Sequence, residues 1–285
     1  MVVKPKRLYL FGTGIVSGLA VAMVILCLAT EQWVVTDSAK WKIQIDERTS
    51  AIRYGLFQGV LQQTLSTNAI LQISMTCLFK ENICAMLCGP DTKTLLQKLY
   101  DNDPNASQDD GKCAAVRGTA VYHSKPTRPV LSTEQNDNKK QFINAGVWLS
   151  TILFLVLAIA FGSLATMLGF YNTVSNPIQW YFGIRGMYMY NSVAICAIII
   201  AMCLWGAMYN MIILHDIGVF YTLKGQLDSD KKAFLGFSYW LLFLPILLFS
   251  GSIALIYIRQ YLVSRTPGQR ILDIEDNEDP GLYLY

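Results

Sequence analysis

Cysteine, histidine, asparagine and acidic residues define the chemistry within reach of this chain. Of seven cysteines, Cys27, Cys196 and Cys203 fall in long apolar runs, while Cys77, Cys84, Cys88 and Cys113 share one polar stretch. An even set in one segment is what an oxidising compartment can pair. Cys77, Cys84 and Cys88 are spaced i, i+7 and i+11, which predicts one face of a helix within residues 70–100, ended by Gly89-Pro90. Four cysteines allow three pairings, all of them open. Cys84 with Cys88 is disfavoured if they share a helix, because their Cα atoms would lie about 6 Å apart on consecutive turns and the bond would constrain little. Zinc is the competing chemistry, since Cys84-x3-Cys88 has ligand spacing. Cys77 and Cys113 supply no second close pair, so disulfides are the expectation. Asn105-Ala106-Ser107 is an N-glycosylation sequon in the turn-rich, polar DNDPNASQDDG. The two histidines are His123 and His215. His215-Asp216 follows an apolar run and is read as a helix-end pair at the headgroup boundary rather than a proton or metal site. No G-x-S-x-G nucleophile elbow occurs. Catalytic, cofactor-binding and metal-binding residues are therefore expected to be none, and no cofactor is implied.

The elements that must position these residues are written in the hydropathy. Hydrophobic residues make up 53% of the 285 and charged residues 15%, against about 25% charged in a soluble domain. A net charge of +3 gives no bulk attraction to nucleic acid. Four runs, residues 8–30, 144–170, 188–214 and 237–258, contain no Asp, Glu, Lys, Arg or His. Each reaches the roughly 20 residues that a helix needs to cross hydrocarbon, and in lipid such a run must satisfy its own backbone bonds as a helix. Residues 56–79 hold Gln58, Gln62, Gln63, Asn68 and Gln72, so they predict an amphipathic or interfacial piece rather than a fifth span. The first run follows the charged MVVKPKR, but it is longer than the about 7–15 residues of a signal core and reads as an uncleaved anchor.

The spans divide the chain into an N-terminus (1–7), a long first loop (31–143), a short loop (171–187), a second outer loop (215–236) and a tail (259–285). Lys4, Lys6, Arg7, Arg185, Arg259, Arg265 and Arg270 lie on one side; Lys224, Lys231 and Lys232 lie on the other. The positive-inside rule then places both termini in the cytoplasm and the first loop outside, in a multi-pass protein expected at the plasma membrane. The cysteine set and the sequon agree. Within the first loop, WVVTDSAKWKIQID has strand character, and Tyr54-Gly55-Leu56-Phe57 reads as a second strand or its end. The fold expected is a four-transmembrane-helix bundle with a large extracellular first loop made of a small β-sheet plus a helix.

Gly14 and Gly18 (G-x-x-x-G), Ala197 and Ala201, and the cluster Ser250, Gly251, Ser252 and Ala254 have helix-packing spacing, for the bundle itself or for a homo-oligomer. No ionisable group sits in mid-span, where transporters and channels often carry one. Pro245 is positioned to kink the fourth span. The tail turns from basic to acidic and ends Tyr283-Leu284-Tyr285, a pattern that a PDZ-type groove can take as an added strand.

Trp33 ahead of Gly55-Leu56-Phe57, a large first loop and a short second one resemble the tetraspan claudin/PMP22-like superfamily. Phe57 stands where claudins carry tryptophan, and the next cysteine is Cys77, so the match to claudins is not close. Tyr54-Gly55-Leu56-Phe57-Gln58-Gly59 resembles the Y-G-L-F-x-G segment of the clarin first loop, and Tyr171-Asn172 followed by Pro177 resembles the clarin run after span two. The resemblance implies a non-enzymatic membrane organiser of sensory or neuronal cells. Its first loop would bind a membrane or extracellular protein, and its cytoplasmic ends a PDZ or actin-linked partner. The alternatives are an auxiliary subunit governing the traffic or gating of a channel or receptor, and a claudin-like junction adhesion protein.

Overall fold

The computed structural model describes residues 5–41, 49–64, 68–89, 91–101, 115–117, 141–174, 181–219, 227–228 and 231–264. Four helices among them are long and apolar enough to cross a membrane: Arg7–Ala29, Ala145–Val174, Ile184–Ile213 and Phe237–Val263. As elements these are α1 (Pro5–Ala29), α3 (Ala145–Val174), α4 (Ile184–Met208) with a π-helical turn at Tyr209–Ile213, and α5 (Phe237–Leu241) continued by α6 (Phe243–Ser264). The α5/α6 junction falls at Leu242, just ahead of Pro245. Proline cannot donate to a carbonyl four residues back, so the fourth span is interrupted there.

The chain divides into two compact units. The first comprises residues 1–24, 156–198 and 243–285. Hydrocarbon supplies no hydrophobic force between helices, so small and polar residues must make the contacts. Gly14 and Gly169 bring the backbones of α1 and α3 so close that a Cβ on Gly169 would lie 2.6 Å from the Gly14 Cα. Gly18 faces Thr166, and Phe11 meets Phe170 edge-on at 5.6 Å. Ser17 on α1 donates to the Asn191 side chain on α4 (3.0 Å) and lies 2.9 Å from the Ser252 hydroxyl on α6. All three residues are buried, and the Asn191 amide donates on to the Met187 carbonyl (2.8 Å). Leu10, Leu168, Met187 and Ile256 form the apolar cluster beside this node.

The second unit comprises residues 25–155 and 199–242. Its frame, among the described residues, is a nine-stranded antiparallel sheet ordered β7-β5-β4-β3-β2-β1-β8, in which β6 pairs with β4 and β9 with β1. The strands are β1 (Val34–Trp41), β2 (Thr49–Tyr54), β3 (Gln58–Thr64), β4 (Asn68–Leu78), β5 (Ile83–Leu87), β6 (Ala115–Arg117), β7 (Ile143–Asn144), β8 (Leu227–Asp228) and β9 (Phe234–Leu235). The sheet is larger than the small one expected of the first loop, because residues 215–236 add β8 and β9 and the approach to α3 adds β7.

The described residues of 56–79 are a turn followed by β3 and β4, and none of the four bilayer-length helices includes them. One expectation is corrected. Residues 70–100 are not one helix: β4, a turn and β5 precede the short α2 (Thr92–Tyr100). Cys77, Cys84 and Cys88 therefore share no helix face. The deciding pattern is two-fold: Leu71 and Ile73 are buried while Gln72 between them is exposed. On β5, Ile83, Ala85 and Leu87 pack with Leu95, Leu96 and Leu99 of α2. Asp91 caps α2, its carboxylate accepting from the Thr94 amide (3.3 Å) and hydroxyl (2.6 Å).

Candidate interaction surface at the hairpin tips

The residues singled out in the Y-G-L-F-x-G segment form the tip of the β2–β3 hairpin. The Gly55 amide donates to the Gln58 carbonyl (2.8 Å), closing a two-residue loop at Leu56-Phe57. A Cβ on Gly55 would run into the Thr30 carbonyl at the end of α1, and one on Gly59 would lie 2.6 Å from the Arg53 carbonyl. Both positions require glycine because another backbone approaches, which explains the spacing of the motif. Tyr54 is fully buried and its hydroxyl donates to the Ile217 carbonyl (2.9 Å). Burial first, and then the Asp216 carboxylate, hold its phenol well above the usual tyrosine range. Leu56 is fully buried, whereas Phe57 is 44% exposed.

Trp33 anchors the same unit. It is fully buried, its indole donates to the Cys27 carbonyl (2.7 Å), and its ring meets Trp205 (5.4 Å) and Tyr239 (6.4 Å) edge-on. The Trp33 amide donates to Tyr54 (3.0 Å), and the Trp33 carbonyl accepts from Gly236 (2.8 Å). The Thr30 hydroxyl donates to Ser238 (2.7 Å). The end of α1, the sheet and the start of α5 are thereby joined around one tryptophan.

The second tip, between β4 and β5, carries the disulfide. Cys77 and Cys84 are bonded and directly opposed in the ladder, with Cα atoms 4.1 Å apart. Cys88 is also disulfide-bonded; Cys113 and the sequon residue Asn105 lie outside the described residues. The turn enclosed by the Cys77–Cys84 bridge reaches α3. The Asn82 side chain accepts from the Gly146 amide (2.8 Å) and its carbonyl from the Ala145 amide (3.3 Å). Asn144 caps the same helix through the Val147 amide (3.0 Å). Asn82 has φ 57°, the left-handed region that asparagine tolerates better than most residues.

Both tips converge on Trp148. Its indole donates to the Leu56 carbonyl (2.8 Å), and the Phe57 and Phe79 rings each lie 6.3 Å from its ring. A cavity of about 330 Å³ opens beside the first tip, lined by Leu28, Ala29, Thr30, Glu31, Phe57 and Gln58.

Asp216 is one of three acidic residues in residues 215–236, with Asp228 and Asp230. Burial raises its carboxyl pKa, opposed by hydrogen bonds from the Gly218 and Gln141 amides. Among the described residues no cluster of three or more His, Cys, Asp or Glu could hold a metal ion. Ala197 and Ala201 are buried on α4, and Gly14 and Gly18 face α3. The Ser250–Ala254 cluster does not form one packing face: Ser252 joins the buried node, Ser250 bonds its own helix, and the Gly251 site opens on empty space. Asn172 is buried and donates to the Phe182 carbonyl (2.7 Å), while Pro177 and Tyr283, Leu284 and Tyr285 lie outside the described residues. Sequence reasoning missed Trp148, Phe79, Asn82 and Asn191. Asn144 ahead of an apolar run was a readable helix start, and Asn191 inside a span was a readable polar contact. Nothing local to Asn82 announces that it caps a helix sixty residues away.

No family model matches the chain. It is 33% identical to Clarin-3 of Homo sapiens over 115 residues, 39% of this chain and 49% of that protein. It is 24% identical to Clarin-3 of Mus musculus over 202 residues, 70% of the chain and 63% of that protein. With Clarin-3 of Rattus norvegicus the identity is 23% over 240 residues, 83% and 80% of the two chains. The chain thus spans about half the length of the human relative and under two thirds of the mouse one. Joined to four helices of bilayer length, these likenesses support membership of the clarin family for this tetraspan membrane protein.

Proposed function

We propose that this protein is a non-enzymatic organiser of membrane contacts, of clarin type. It would hold its sheet at a set position over the bilayer for a membrane or extracellular protein to bind. The observation that carries this reading is the fastening of the sheet. Trp33, Tyr54, Trp148 and Asn82 tie it by hydrogen bonds to helix ends or to the segments leading from them. A lobe so fastened cannot swing on a linker, which suits a platform for partners. The sheet would face the outside and both termini the cytoplasm. The disulfides, which belong in an oxidising compartment, and the sequon at Asn105 support that orientation. The tail would reach PDZ or actin-linked partners of a sensory or neuronal cell.

The test is proximity labelling from a peroxidase inserted in the first loop, paired with one on the tail, in cells that express the protein natively. Enrichment of adhesion or cell-surface proteins outside and cytoskeletal adaptors inside is expected. A stoichiometric channel or receptor subunit, with currents that change on its removal, would replace this reading with that of an auxiliary subunit. Protease on intact cells that trims the tail and spares the first loop would invert the orientation.

A further inference from the structure

We propose that the two hairpin tips of the sheet are seated in the lipid–water interface, so that the sheet itself carries part of an aromatic belt. Phe57 is 44% and Phe79 59% exposed, although each ring lies against Trp148. Trp148 fixes their depth. It is the fourth residue of α3, so it sits about 5 Å inside the start of that helix. Leu149 and Leu153, exposed apolar residues further along α3, would meet acyl chains in a spanning helix. The β2–β3 tip also abuts Thr30, the residue that follows α1. The ends of two spans therefore place both tips at one level.

The start of α5 repeats the arrangement. Phe234 on β9 is 64% exposed, and Phe237 and Trp240 in the first turn of α5 are 65% and 56% exposed. β9 pairs with β1, while Phe79 follows β4, so Phe234 and Phe79 lie at separate places in the sheet, with the Phe57 tip between them and Thr30 joining it to the start of α5. What they share is the level of a helix start. A single protein partner would call for one contiguous patch. Aromatic side chains distributed at helix starts fit a surrounding solvent layer, and the interface is where amphipathic rings are enriched. Exposed Lys80, next to Phe79, supplies an ammonium that can reach lipid phosphate from the same turn. The occupant is the phospholipid of the leaflet on the sheet's side, whatever protein the rest of the sheet binds.

The experiment places the photocrosslinking residue p-benzoylphenylalanine at Phe57, Phe79 or Phe234 in the full chain. Lys93, exposed on α2 and part of neither tip, is the control. Each variant is reconstituted in phosphatidylcholine nanodiscs after its disulfides are verified, irradiated and analysed by mass spectrometry. Lipid adducts at the three belt positions and none at Lys93 are expected. Absence of lipid adducts at Phe57 and Phe79, or yields equal to that at Lys93, overturns the proposal. So does irradiation in native membranes that converts these positions chiefly to protein adducts, which would make the tips a protein interface.

Discussion

Replacing Asn82 tests whether the β4–β5 turn holds the start of α3. The first amides of a helix have no partner of their own. Here those of Ala145 and Gly146 are taken by Asn82 and that of Val147 by Asn144. Asn82→Ala removes the side-chain acceptor, at about 1 kcal/mol for a cap in an exposed position. It also forces a Cβ residue without local hydrogen bonding into φ 57°, at about 1–2 kcal/mol. The sum of about 2–3 kcal/mol corresponds to a fall of about 5–10 °C in unfolding temperature. Asn82→Gly keeps the left-handed turn and loses only the acceptor, so it should fall by about 2–4 °C. Asn82→Asp retains the acceptor and adds a negative charge at a helix N-terminus, a gain of about 0.3–1 kcal/mol. The expected order is Asp at or above wild type, then Gly, then Ala. Intrinsic tryptophan fluorescence during thermal unfolding in nanodiscs reads it directly. Equal loss in the Gly and Ala variants would refute the backbone part of the reasoning, and an Asp variant below the Gly variant would refute the capping part.

Other perturbations have equally definite signs. The Cys77–Cys84 bridge closes a loop with sequence separation 7, so Cys77→Ser with Cys84→Ser should cost about 2.5 kcal/mol by chain entropy; an unchanged unfolding temperature would show the turn to be fixed without it. Asn191→Leu leaves Ser17 bonded to Ser252 alone, at a cost of about 0.6–1.7 kcal/mol, which is the range of such contacts between membrane helices. Its measure is reversible unfolding in mixed micelles, with insertion unaffected. Asp216 has a folded-state pKa above its ordinary value. It therefore binds more protons folded than unfolded, and its contribution to stability is fully present below the unfolded pKa and lost as pH rises through the folded one. Asp216→Asn, which can still accept from Gly218, should raise the unfolding temperature at neutral pH, with the advantage disappearing in acid. A variant less stable at pH 7 than wild type would contradict this sign.

The four bilayer-length helices were legible because their pattern needs no partner. A run without charge that is long enough to cross hydrocarbon can satisfy its backbone only as a helix. The strand character of β1 was legible in β-branched residues and alternation, as was the end of a second strand at Tyr54, whereas Lys42 to Asp46 of the same stretch lie outside the described residues. Gly55 and Gly59 could be picked out as a motif, although not explained. The three cysteines at i, i+7 and i+11 misled because helical and strand spacings overlap over short stretches. Only pairing with β3 and the packing of α2 decided that Cys77 and Cys84 face each other across a hairpin.

Tertiary structure alone decided the rest. The recruitment of residues 143–144, 227–228 and 234–235 into the sheet depends on strands distant in sequence. So do the capping of α3 by Asn82, the docking of two hairpin tips on Trp148, and the Ser17–Asn191–Ser252 node. Each is a contact whose partners lie tens to hundreds of residues apart, and a local pattern carries no information about which surface will arrive there. Solvation by lipid is a property of each segment and can be read segment by segment. Hydrogen bonding and packing are properties of pairs, and they exist only once the chain has brought the pairs together.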